Sequence, residues 1–196
     1  ELVAEVSDVS VNDQTKSLVE TRVAATAMIN SSGDLLADSG IGAAINAVSA
    51  AAHAPAAKST ANAGTQASAA SAAASSAFQM WAAQSGSATR LNSGSYVDAK
   101  GWNLNLGFAK QATMGRNTVT YGPFIEYGRG TYDSYLDDGT HGDGSMSHVG
   151  VGVMAVSKSD SGAYVEGSLR AGRVKSDYAG DISNTTATYD SSSTYY

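Results

Sequence analysis

Gly101-Trp102-Asn103-Leu104-Asn105-Leu106-Gly107-Phe108-Ala109 is the stretch that decides the fold. Every second residue in it is large and apolar: Trp102, Leu104, Leu106 and Phe108. The residues between them, Gly101, Asn103, Asn105, Gly107 and Ala109, are small or polar. A period of two marks a β-strand with unlike faces. The same rhythm runs on to Asp181. Val119, Tyr121, Ile125 and Tyr127 alternate with Thr118, Thr120, Gly122, Phe124 and Glu126. Val149, Val151, Val153 and Ala155 alternate with His148, Gly150, Gly152 and Met154, and Val165 and Leu169 alternate with Tyr164, Glu166, Ser168, Arg170 and Gly172. A water-soluble sandwich buries such apolar faces against each other. A membrane barrel turns them to lipid and keeps the polar faces around a wet lumen.

Outward from this core, residues from Arg90 onward read as four strands, about 95–111, 117–135, 145–157 and 162–178. The connections at 112–116 and 158–161 are short. Those at 136–144, which hold Asp137, Asp138 and Asp143, and at 178–193 read as long loops. Short turns alternating with long loops is the arrangement of an outer-membrane barrel, whose tilted spanning strands need about 9 to 11 residues. Strands of soluble sheets usually have about 5 or 6.

Residues from about Asp13 to Ala83 read as helical. Asn12 or Asp13 can cap a helix that carries Leu18, Val19, Arg22, Val23, Ala25, Ala27 and Met28, with Gly33 as its end. A second helix runs from about Asp34 through Leu35, Leu36, Ile41, Ile45 and Val48 to Ala52, and Pro55 breaks it. The stretch from Ala56 to Ala77 is nearly all Ala, Ser, Thr, Asn and Gln. It reads either as a thin helix able to approach glycine-rich backbone or as a low-complexity linker. Phe78, Met80 and Trp81 return bulk just ahead of the first strand. The expected division is a helical segment at 1–89 and a β-domain at 90–196.

Composition narrows the function classes. The formal net charge is -6 and the sequence pI is about 4.9, with no basic cluster in the sequence, which argues against a nucleic-acid partner. Cysteine is absent, so disulfides, zinc-thiolate sites and a cysteine nucleophile drop out. No single run approaches the roughly 18 to 20 apolar residues of a membrane helix. No signal peptide is visible, so Glu1 reads as the interior of a longer polypeptide. The last residues, Ser192 to Tyr196, read as the opening of a further strand.

Three segments carry a resemblance: Ser95-Tyr96-Val97-Asp98-Ala99-Lys100-Gly101-Trp102, the run from Gly122 to Asp133, and Glu166-Gly167-Ser168-Leu169-Arg170-Ala171-Gly172-Arg173. They resemble the β-domain of autotransporters. The lead-in, Leu18 to Arg22 and Gly33 to Leu36, is similar to the helical segment that precedes such barrels. The resemblance spans roughly residues 13–181. It implies the first four to five strands of an antiparallel transmembrane β-barrel preceded by an Ala-rich α-helical segment. It also implies a place in the bacterial outer membrane, outer-membrane lipid around the strands, and the barrel assembly machinery and periplasmic chaperones as helpers. The implied activity is anchoring and export of the chain's own N-terminal passenger by type V secretion. Four strands cannot close a barrel, because an open edge in lipid leaves backbone groups unpaired at several kcal/mol each. The alternative is a soluble all-β surface adhesin or binding domain with a helical stalk.

Phase gives the candidate residues. Glu126, Glu166 and Arg170, with Gly150 and Gly152, lie on the polar faces. In a barrel they are lumen-facing, and Glu126 and Arg170 can pair across the lumen or through a helix. On a half-exposed soluble sheet they are solvent-facing charges. Gly107, Gly128 and Gly172 share that face and serve either close helix approach or bulges. Arg129 and Arg173 have the other phase and fall near strand ends, within reach of headgroups. Trp102, Tyr121, Tyr127, Tyr132 and Tyr135 are candidates for aromatic girdles, or simply favoured strand residues. His141 beside Asp137, Asp138 and Asp143 reads as a solvated acidic loop rather than a cation site. No Gly-x-Ser-x-Gly elbow, phosphate-binding loop or dinucleotide fingerprint is present. The chain is therefore expected to be no enzyme, with no catalytic residues, no cofactor and no metal.

Overall fold

The computed structural model of the protein describes residues 13–53, 77–92, 96–135, 141–182 and 185–196. It is mainly β: six antiparallel strands form one sheet in the order of the chain. The strands are β1 (Gln79–Asn92), β2 (Tyr96–Met114), β3 (Asn117–Tyr135), β4 (His141–Ser159), β5 (Tyr164–Ile182) and β6 (Thr185–Tyr195). A long helix precedes them: α1 (Asp13–Leu35), a π-helical turn (Leu36–Gly40) and α2 (Ile41–His53). The Ala-rich stretch 56–76 and the acidic pair Asp137 and Asp138 lie outside the described residues.

Several expectations are corrected. There are six strands rather than four or five, and the sheet begins at Gln79, ahead of residue 90. The bulk at Met80 and Trp81 already belongs to β1, whose register puts Trp81 opposite Gly107. In the segments read as long loops, the described residues at 141–144, 178–182 and 185–193 are strand. Asp143 pairs with Asp133, and Tyr178 pairs with both Gly144 and Tyr189. Their Gly, Asp and Ser content belongs to strand that extends past the apolar rows of the outer face. Gly33 does not end a helix, since helical hydrogen bonding continues through it to His53.

The buried positions of the helix show how it stays in contact with the sheet along its length. Glu20, Ala24, Met28, Ser32, Leu36, Gly40, Ala44 and Val48 are all buried, at a constant spacing of four. In a straight α-helix each step of four overshoots a full turn by about 40°, so this stripe winds around the axis. It leads from strands β2 to β5 under α1 to strands β1 and β2 under α2. At the π turn the Ile41 N–H reaches back five residues to the Leu36 carbonyl, which locally resets the drift. By length and composition residues 20–53 are long and apolar enough to cross a membrane, although no single run in the sequence reaches that length. In the structure their apolar side packs into the sheet.

A tight turn and one proline set the β2–β3 ladder. The β2–β3 connection is a tight turn at Gly115 and Arg116, with Gly115 at φ +63°, a conformation that favours glycine. Pro123 has no N–H, and the β2–β3 pairing lapses between Gly107↔Phe124 and Lys110↔Tyr121 before resuming in the same register. Phase is therefore kept along all of β3.

Candidate functional site

The helix-facing surface of the sheet is built in three layers. One apolar cluster gathers Leu36, Ile41, Ala44 and Val48 of the helix with Trp81, Ala109, Phe124 and Met154. Another gathers Ala24 and Met28 with Val97, Tyr132, Met146 and Tyr178. Between them lies a polar layer centred on Glu126, which is 1% exposed.

Glu126 accepts hydrogen bonds from three elements. The Ser32 hydroxyl donates to Oε2 at 2.7 Å, the Arg170 Nη1 donates to the same oxygen at 3.1 Å, and the Tyr195 hydroxyl donates to Oε1 at 2.8 Å. Arg170 also donates to the Ile29 carbonyl at 3.0 Å. One carboxylate thus ties α1 to β5 and β6, and its charge is balanced by the guanidinium. Asn105 donates to the Ser32 carbonyl at 3.3 Å, and Asn103 donates to the Ser31 hydroxyl at 3.2 Å. Farther along α1, Tyr132 donates to the Asp177 carbonyl at 2.9 Å, so at 2.9 Å from Thr21 it receives the threonine hydroxyl proton. Ser134 donates to Glu20. His148 is buried, and neither of its ring nitrogens has a hydrogen-bond partner among the described residues.

Glycines make the space for this layer. A Cβ at Gly33 would fall 2.7 Å from Arg170 Nη2, so the bare helix backbone is what admits the guanidinium. On the sheet, large side chains lie over the glycines of other strands: Trp81 over Gly107, Phe124 over Gly152, and Tyr195 over Gly172 of the next strand and Gly150 of the one beyond. These glycines accommodate neighbouring side chains rather than helix backbone, and none of them interrupts its strand as a bulge.

The opposite face is apolar and uncovered. Leu169 is 77% exposed, Met80 73%, Val165 69% and Val151 61%. The register aligns them into rows across the strands: Met80, Phe108, Val153 and Leu169 share one row, and Leu106, Ile125, Val151 and Ala171 form the next. Trp102 and Tyr127 pack against each other on this face at 5.4 Å between ring centroids. Tyr121 meets Phe78 edge-on at 6.4 Å, and Tyr135 stacks on Tyr96 at 4.6 Å near the strand ends.

The expected site residues therefore divide. Glu126, Arg170, Gly150 and Gly152 come together on the helix-facing side. Glu166 shares their phase, standing opposite buried Val156, but it is exposed and receives the Tyr164 hydroxyl instead. Trp102, Tyr121, Tyr127 and Tyr135 lie on the outer face. Tyr132 does not, and this corrects its place among the outer aromatics. As an even-numbered residue of β3 it points with Glu126 toward the helix and is buried there. Sequence reasoning passed over Ser31, Ser32, Asn103, Asn105, His148 and Tyr195. The phase of β2 and β4 already put Asn103, Asn105 and His148 on the polar face, whereas nothing local marks Ser32 among the many serines.

Beside the polar layer an open groove of about 450 Å³ runs between α1 and strands β5 and β6, lined by Arg22, Thr26, Asn30, Ser176, Ser191 and Tyr195. Among the described residues no group of three or more His, Asp or Glu could hold a metal ion. No protein-family model, no curated protein and no solved structure matches the chain.

Proposed function

We propose that this chain is the pore helix and opening strands of an outer-membrane β-barrel that anchors and exports an N-terminal passenger. One observation carries the reading: a charged and amide layer is buried, and a broad apolar face is left uncovered, on the same sheet. Its covered face holds Glu126, Asn103, Asn105, Thr120, Ser134 and His148, while its uncovered face holds Leu106, Ile125, Val149, Val151, Val153, Val165 and Leu169. A sheet in water gains by the opposite arrangement, because apolar burial is the dominant favourable term in folding. In hydrocarbon the arrangement is favourable, since the apolar side faces lipid and the polar side faces a hydrated or helix-filled lumen. The two edges, β1 and β6, need partner strands in lipid, because unpaired backbone groups there cost several kcal/mol each. The polar layer around Glu126 then seats the helix in the lumen after the passenger has passed.

The test is a reporter peptide fused ahead of residue 1 in a Gram-negative host, with protease added to intact cells. Export predicts a reporter that is cut on intact cells and protein that stays in the outer-membrane fraction. Outer-membrane protein with a protected reporter would leave an anchor without export. A monomer soluble without detergent would sink the proposal and turn the reading to a soluble all-β surface adhesin.

A further inference from the structure

Above the apolar rows of the outer face, the first charged layer is basic. Arg129 of β3 stands in register with Trp102 on one side and Ser147 on the other, and Ser147 stands opposite Lys175 of β5. Arg173 lies one row closer to the apolar band, opposite Val149. All three cations share the phase of the apolar face and are exposed. Strands lie about 4.8 Å apart, so Arg129 and Lys175 straddle Ser147 at about 10 Å between backbones. Among the described residues none of the three takes part in a salt bridge; the ion pairs join Arg90 to Asp98 and Arg170 to Glu126. The carboxylates of the outer face come farther out. Asp98, Asp133 and Asp143 align two rows beyond Arg129, and Asp177, one row beyond, receives the Ser145 hydroxyl at 3.0 Å. Such a basic row is unusual in a chain of net charge -6.

We propose that Arg129, Arg173 and Lys175 form a docking surface for the phosphate of an anionic lipid headgroup. Resting on the membrane reading, this assigns the partner of that rim. Four features fit a headgroup. The apolar side chains there, Val149 level with Arg173 and Val151 and Val153 in the rows below, take the acyl chains. The guanidinium and ammonium groups stand at the level where phosphates lie, and a long stem reaches there while its head stays polar. Trp102 and Tyr127 flank the cations, as aromatics do at the interface between hydrocarbon and headgroup. Arg129 and Arg173 present planar forks able to hold two phosphate oxygens each.

Trp102 provides the readout, since it is exposed in the same row as Arg129 while Trp81 is buried on the helix side. The protein is refolded into vesicles in which a trace of brominated phosphatidylcholine or brominated phosphatidylglycerol quenches tryptophan, and a Trp102→Phe variant supplies the background from Trp81. The anionic lipid is expected to be favoured at Trp102 by about fivefold or more, what one engaged cation near the surface supplies. The preference should fall toward one in 1 M salt and in an Arg129→Gln/Arg173→Gln/Lys175→Gln variant, while quenching by phosphatidylcholine stays unchanged. Equal quenching by both lipids in the parent protein would overturn the docking surface and leave the membrane reading standing. No quenching of Trp102 by either lipid would overturn both.

Discussion

Glu126 is the residue on which the helix-facing surface turns. It is buried, charged and held by Ser32, Arg170 and Tyr195 at once. Removing one partner of a buried pair costs more than the pair contributes, because the remaining charge loses its compensation. Glu126→Gln should therefore destabilise the protein by roughly 3 kcal/mol, the low end of the usual range because Arg170 keeps some exposure. Urea unfolding in vesicles measures it. The double variant Glu126→Gln/Arg170→Gln should recover part of the loss, and strict additivity of the two single changes would show that the pair is not coupled. Gly107 makes the complementary point about space. A Cβ there falls 2.6 Å from the Trp81 indole, a rigid ring held between the helix and Phe124, which lies 6.3 Å away between ring centroids. Gly107→Val should cost about 2 kcal/mol by overpacking and should shift the Trp81 emission, whereas an unchanged spectrum would mean that the ring is not seated over Gly107.

The helix behaves as two elements joined at the π turn. α1 is held largely by hydrogen bonds and charge, through Thr21, Ser31, Ser32 and the Ile29 carbonyl. α2 is held by apolar contact alone among the described residues, through Ile41, Ala44 and Val48. Ala44 is fully buried, so Ala44→Leu should push α2 off the sheet while leaving the Glu126 layer in place. Hydrogen exchange is the measurement. Amides of Ile41–His53 should lose protection and those of α1 around Ser32 should keep it. Loss of protection along the whole helix would show that the two halves release together. Helical periodicity was legible in the sequence, but the break placed at Gly33 was not correct. Helical bonding continues through Gly33 despite glycine's low propensity, and the bare backbone there leaves room for the Arg170 guanidinium.

At the scale of the whole molecule the environment of the uncovered face decides what the protein is. Val151 sits near the middle of the apolar rows and is 61% exposed. On a sheet in water Val151→Arg would change stability by less than about 0.5 kcal/mol, as most exposed substitutions do. In a bilayer the same change should cost about 2 to 4 kcal/mol, the cost of a cation near the midplane of a barrel. The comparison is made by unfolding parent and variant in vesicles, with Ser157→Arg nearer the turns as a control of smaller effect. A neutral Val151→Arg would count against the membrane reading.

The sequence by itself determined the faces of the strands. Side chains alternate with the backbone pleat, which is local geometry, so Gly101 to Ala109 placed Asn103 and Asn105 on one side and Leu104 and Leu106 on the other before any fold was known. The same phase places Tyr132 with Glu126, and it holds over the aromatic identity that pointed outward. Composition was a poorer guide to where strands end, since the Gly, Asp and Ser residues around Asp143 and Tyr189 lie in strands that run past the apolar rows. Only the tertiary structure decided which residues meet. Glu126 and Arg170 are 44 positions apart and sit two strands from each other, so their contact depends on the register of β3, β4 and β5 and on a helix whose Gly33 leaves room for the guanidinium. Ser32 joins them because the helix lies along the sheet with its four-residue stripe inward, a placement supported by the packing of Leu36 one turn on and of Ala44 and Val48 farther along.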